Sequence, residues 1–135
     1  MRSMSNTRKS KRFTFTPTYK TLEKILTDHN LATLGDAYTN LIYSLYLSIK
    51  TGKPTGAKAS SRMLSKALKQ AGLRDLMSSR LDRHSQADAA EALLVYAWLQ
   101  GQATITESVN ILSSHEKVAD AFSSLLTDTK KKLDL

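Results

Sequence analysis

The chain has no cysteine anywhere in its 135 residues. Disulfides and zinc–thiolate sites are therefore excluded. Its three histidines are scattered, which argues against an imidazole-based metal site. No apolar run approaches the roughly 20 residues that span a bilayer, so no membrane partner is expected. Nor does the basic N-terminus hold the apolar stretch of a secretory signal; its Arg/Ser-rich, acid-free composition leaves an organellar targeting segment as a minor option. No segment carries enough strand signal for a sheet, and no internal repeat is visible. What is present is an ordinary apolar content of 41% in a chain long enough for one core. The expected fold class is all-α, with six or seven helices joined by short loops.

Acidic residues are missing altogether from residues 1–20, which hold six basic ones: Arg2, Arg8, Lys9, Lys11, Arg12 and Lys20. The remainder holds 14 basic and 12 acidic residues, so most of the net charge of +8 lies in a tail. Residues 1–15 read as a flexible basic arm and residues 16–135 as a single helical domain. An arm of this composition suits a polyanion, RNA above all, with Arg8, Lys9, Lys11 and Arg12 on phosphate. The alternative is a solubilising or targeting extension.

Along the chain, Pro17 sits where a first helical position is expected. Leu22, Ile25 and Leu26 give that helix an apolar face, and it should fade near His29-Asn30. The stretch Leu31 to Ile49 is the strongest helix signal. Leu31, Leu34, Tyr38, Leu41, Ile42, Leu45 and Ile49 recur at helical spacing as one wide stripe, and Gly52 suits a left-handed cap at its end. A third helix is expected over Lys58–Gln70, with Met63, Leu64, Ala67, Leu68 and Ala71 inward and Lys58, Arg62, Lys66 and Lys69 along another face. That basic stripe is either a solvated surface or a track for a phosphate backbone. Arg80, Arg83 and His84 follow, just before another apolar helix, Ser85–Leu99. Thr104 with Glu107 and Ser113 with Glu116 read as capping boxes that open two last helices. In the last of these Val118, Ala121, Phe122, Leu125 and Leu126 are periodic, and Lys130 to Lys132 suit its negative end.

Two acids stand out in the helix Ser85–Leu99: Asp88 and Glu91, three residues apart and so on one face. A third, Asp36, sits in the most apolar helix, beside a glycine that costs about 1 kcal/mol against alanine and so needs a reason. Close approach is that reason. Gly35 and Ala37 are small enough to let α-helical backbones meet at Ala87, Ala89 and Ala90, and three carboxylates would then converge. Such a cluster calls for protons or a hard cation such as Mg²⁺, which takes oxygen ligands and keeps waters. Two of these acids also have a plainer role open to them: Asp88 as partner of a Ser85 cap, Glu91 as a surface acid.

The segments carrying these acids, LATLGDAYTNLIYSLYL and DAAEALLVYAWLQG, resemble the two signature segments of the ribonuclease III family. The Leu-Gly-Asp-Ala core is Leu34 to Ala37, the family's asparagine is Asn40, and Asp-Ala-x-Glu-Ala is Asp88 to Ala92. The chain is most similar to short archaeal members and to the mini-ribonuclease III branch, which has no double-stranded RNA-binding domain. The resemblance implies a helical endonuclease domain and a homodimer. It implies Mg²⁺-dependent (Mn²⁺ possible) hydrolysis of double-stranded RNA, with Asp36, Asp88 and Glu91 as metal ligands and Asp36 and Glu91 catalytic. Two glutamates of the full signature are replaced here by His29 and Ala32, which leaves one acid fewer for a second metal.

Two functions follow. The first is a cytoplasmic endoribonuclease acting on stable RNA precursors such as ribosomal RNA, with Lys58, Arg62, Lys66 and Arg83 on phosphates. The second is an RNA-binding protein that keeps the fold and does not cut, bound to a ribosomal large subunit. A weaker third is a helical adaptor without RNA.

Overall fold

The computed structural model describes residues 13–77 and 82–135. The described residues form six α-helices, one 3-10 turn and no strand: α1 (Leu22–Leu26), α2 (His29–Thr51), α3 (Ser61–Gln70), the 3-10 turn Arg74–Leu76, α4 (Arg83–Leu99), α5 (Ile105–Ser113) and α6 (Val118–Leu133). The expected all-α class is what is found.

Helix α4 is the centre because it is apolar on nearly every side. Twelve of its 17 residues are buried, and a helix that is hydrophobic all round has to be enclosed. Helices α1, α2, α3 and α6 pack around it. Leu93, Val95 and Leu99 are fully buried, each contributing roughly 1.5–3 kcal/mol of hydrophobic stabilisation.

Helix α2 crosses α4 at Gly35, as its small size led us to expect. A Cβ there would lie 2.2 Å from the Glu91 carbonyl oxygen and 2.5 Å from its carbonyl carbon. Ala37, expected to share the crossing, is exposed: two residues further on, it is turned to the opposite side of a helix with 3.6 residues per turn. Ala87, Ala89 and Ala90 are all buried. The single apolar stripe of α2 divides in two. Leu31, Tyr38 and Ile42 are buried, whereas Leu34, Leu41, Leu45 and Ile49 are 39, 46, 37 and 60% exposed. Apolar positions at spacings of both three and four cover more of the helix circumference than the neighbouring helices enclose.

The first helix starts later than Pro17. Its N-cap is Thr21, whose side chain accepts from the Lys24 amide. Residues 17–19 are instead tied to α4: Gln100 Nε2 donates to the Pro17 carbonyl at 2.7 Å and the Tyr19 amide to the Tyr96 hydroxyl at 2.9 Å. His29 and Asn30 open α2 rather than ending α1, because Asp28 caps α2 by accepting from the Leu31 amide at 2.9 Å.

Gly52 ends α2 at φ 76, in the left-handed region. The chain then returns along α2, held by side chains one helical turn apart. The amides of Thr55, Ala57 and Ala59 donate to Ser48 Oγ, Ser44 Oγ and Asn40 Oδ1 at 2.9, 2.9 and 2.8 Å. This extended return delays α3 to Ser61, with Ser60 as N-cap. Lys58 therefore lies ahead of the helix in which it was expected. Leu64, Ala67 and Leu68 of α3 are buried, with Met63 and Ala71 half-buried beside them.

The Thr104–Glu107 capping box is formed in both directions. The second expected box is not. Ser113 is the last residue of α5, and α6 begins at Val118 behind Lys117 with no side-chain cap. Residues 114–117 are needed for the turn between the helices, where Ser114 Oγ donates to the Ile111 carbonyl. Ala121, Phe122, Leu125 and Leu126 are buried, and Lys130, Lys131 and Lys132 occupy the last turn of α6 as expected. Lys132 pairs with Asp128 at 3.1 Å and Glu107 at 3.8 Å, where exposure keeps the contribution small.

Gly35→Ala should lower the melting temperature by roughly 10 °C, because the added methyl meets backbone that cannot step aside. Ala37→Ser, at an exposed position, should leave it unchanged. Equal melting of Gly35→Ala and wild type in thermal denaturation would refute the close crossing.

Candidate active site

The α2–α4 crossing sets Asp36 one residue after Gly35 and beside Glu91. Glu91 is buried at 5% exposure, so it is not a surface acid. Asp88, one turn earlier on α4, is half-buried. It caps nothing: Asp82 is the N-cap of α4, its Oδ1 accepting from the Ser85 amide at 2.8 Å. All three acids line one cleft of about 310 Å³, together with His29, Ala32, Thr33, Lys58, Ala59 and Ser61. The two positions at which the resemblance lacks glutamates, His29 and Ala32, are therefore on the cleft wall. His29, Ala32 and Asp88 also line an adjoining cleft with Met77 and Ser85.

The carboxyl group of Glu91 is pushed up from an ordinary 4.5 to about 8. Burial is the main cause, followed by the hydrogen bond to Asp36, the negative charge of Asp36 and that of Asp88; Lys58 opposes them. At neutral pH Glu91 thus keeps its proton and is hydrogen-bonded to Asp36. Asn40, one turn after Asp36, donates from Nδ2 to Asp36 Oδ1 at 3.5 Å while its Oδ1 accepts from the Ala59 amide. It orients Asp36 and fixes the strand of chain that carries Lys58. The sequence marked Asn40 only as part of a motif; its spacing of four from Asp36 was the available sign of contact.

The donor set is all oxygen and carries surplus negative charge, which fits Mg²⁺ or Mn²⁺ and not a thiolate-seeking metal. Among the described residues no three His, Cys, Asp or Glu side chains form a ready-made metal shell. Asp36 and Glu91, with Asp88 alongside, are the residues that would hold such a cation.

The basic residues expected to act together divide between two places. Lys58 lies at the acidic cleft, while Arg62, Lys66, Lys69 and Arg83 line a separate pocket of about 250 Å³ with Ser65 and Gln86. Arg8, Lys9, Lys11 and Arg12 fall outside the described residues, as does Arg80.

The raised Glu91 value makes stability depend on pH. The folded protein holds the Glu91 proton up to about 8, while the unfolded chain releases it near 4.5. Between those values the folded state binds more protons, so stability declines as pH rises through the window and levels off above it. The loss should be a few kcal/mol, at about 1.4 kcal/mol per pK unit. Glu91→Gln should remove this slope and exceed wild type in stability at about pH 9. Urea denaturation in chelator across the window checks this, and parallel pH profiles for the two proteins would refute it.

The family model for Ribonuclease III matches residues 29–135. No curated protein matched the chain. The matched region begins at the first residue of α2 and includes every acid and base that lines the cleft, and the chain belongs to the ribonuclease III family.

Proposed function

We propose that this protein is a Mg²⁺-dependent endoribonuclease acting on double-stranded or structured RNA, with ribosomal RNA precursors as its substrates. The observation that carries this reading is the buried carboxyl pair Asp36–Glu91, hydrogen-bonded across two helices with Asp88 and Lys58 in the same cleft. Mg²⁺, when bound, supplies a Lewis acid for the phosphodiester and makes a water nucleophilic near neutral pH. The protein's share is placement. Asp36, oriented by Asn40, and Glu91, releasing its proton, hold the cation. Asp88 adds negative charge, and Lys58 sits where an RNA phosphate oxygen would enter. Family membership makes RNA the partner.

The same proposal includes a homodimer. Leu34, Leu41, Leu45 and Ile49 lie exposed along one side of α2, an apolar surface of the kind that marks an interface. We place the protein in the cytoplasm. No helix among the described residues is long and apolar enough to cross a membrane.

A second reading, a ribosome-bound member that binds RNA without cutting it, is favoured by one observation. Ala32 stands on the cleft wall in place of an acid, which leaves fewer ligands for a second cation.

Purified protein incubated with long double-stranded RNA decides between them. Cleavage is expected with Mg²⁺ and not with chelator, falling at least about 100-fold in Glu91→Gln while RNA binding is retained. Tight binding with no cleavage by wild type would replace the first reading with the second.

A further inference from the structure

Ahead of α1 the chain makes a tight turn, the Thr16 amide donating to the Phe13 carbonyl at 3.2 Å. The turn sets two phenyl rings side by side: Phe13 and Phe15 stack with centroids 5.3 Å apart and planes 13° from parallel. Phe13 in turn rests on Trp98 of α4 at 6.2 Å, and Trp98 stacks on Tyr38 of α2 at 5.3 Å. The four rings form a ladder from the core, where Tyr38 is buried, out to Phe15. At 62% Phe15 is the most exposed large apolar side chain among the described residues, and its one aromatic neighbour there is Phe13. Apolar surface held out in water and rimmed by polar groups marks an interaction site. The charge around this one has a single sign. Lys11 and Arg12 directly precede Phe13 in the chain, Lys20 follows and is exposed, and the first acid is Glu23.

We propose that the Phe13–Phe15 pair is a stacking platform for an unpaired base of the RNA. The proposal rests on RNA being the partner. Every base has a flat π face, so aromatic rings hold unpaired nucleotides whatever their sequence, while cations beside the rings attract the backbone. A base inside a duplex has both faces covered by its neighbours and cannot use the platform. A protein occupant fits less well, because the centres of protein interfaces are depleted in charged residues and this patch is flanked by cations with no acid to balance them. The platform is not part of the acidic cleft. Tyr38 follows Asp36 by two residues and is turned about 200° round α2 from it, and none of the four rings lines the cleft. The base it takes therefore belongs to a single-stranded segment flanking the duplex, away from the acids. The substrate class that follows is a stem with an unpaired tail, in preference to a blunt duplex.

The test compares full-length wild type, Phe15→Ala and Phe15→Trp, in chelator, on a blunt RNA duplex and on the same duplex with an unpaired tail carrying 2-aminopurine. Phe15 is exposed, so the melting temperatures should match. Wild type should bind the tailed RNA at least about 10-fold more tightly than the blunt one and should quench the 2-aminopurine fluorescence. Phe15→Ala should lose both effects while keeping its affinity for the blunt duplex. Phe15→Trp, which retains a stacking face, should restore both. Equal binding of the two RNAs by wild type, or a Phe15→Ala protein that keeps the preference and the quenching, overturns the platform and leaves RNA as the partner. A Phe15→Ala protein that sediments as a smaller species than wild type shows that the rings meet a second copy of the chain, and also overturns it. Failure of wild type to bind either RNA, even at low salt, overturns both the platform and the partner.

Discussion

Gly35 brings the α2 backbone against the backbone of Glu91, so close that a methyl group would stand 2.2 Å from the carbonyl oxygen. No other residue lets the helices meet at this depth. The contact fixes more than packing. It drives Asp36, the next residue, into reach of a glutamate carried by the most buried helix of the fold. The apolar enclosure of α4, from Ala87 to Leu99, then keeps water away from that glutamate. Core and cleft are two faces of one crossing.

A carboxyl pair so placed has few electrostatic solutions. Burial and the acids beside it make the charged form of Glu91 costly, and its value rises to about 8. The structure around the pair is arranged to keep it there. Asn40 reaches Asp36 with one end of its amide and the Ala59 amide with the other. The same device repeats one and two turns on at Ser44 and Ser48. Thus the loop after α2 is laid back along its own helix, and Lys58 arrives opposite the acids. Further along α3 and α4 the lining charge changes sign, from the acids of one pocket to Arg62, Lys66, Lys69 and Arg83 of the other.

Much of this was legible in the sequence because it rests on period and residue size. Helical spacing located α2, α4 and α6, the cost of an intrahelical glycine pointed to close approach, and two acids at a spacing of three shared a face. What the sequence did not show depends on partners distant in the chain. Whether Leu34, Leu41, Leu45 and Ile49 are covered depends on which helices lie beside α2, not on their own spacing. The start of α1 was misplaced because Tyr19 and Pro17 are bonded to Tyr96 and Gln100, some 80 residues away. The second capping box failed because local motif geometry yielded to the turn that α5 and α6 require. Lys58 looked like one of a helical stripe, and the side-chain ladder on α2 pulled it out of helical register into the acidic cleft.

The proposed activity requires the Asp36–Glu91 pair to be a cation site whose proton leaves when the metal binds. Calorimetric titration with Mg²⁺ near pH 7, repeated in buffers of different ionisation enthalpy, measures both the binding and the protons it releases. Binding should be saturable and should release close to one proton per cation, because the ligand that must ionise is still protonated at that pH. Asp36→Asn should abolish the saturable phase. Binding without proton release, or binding unchanged by Asp36→Asn, would show that the cation goes elsewhere and that the buried carboxyl pair serves the fold alone.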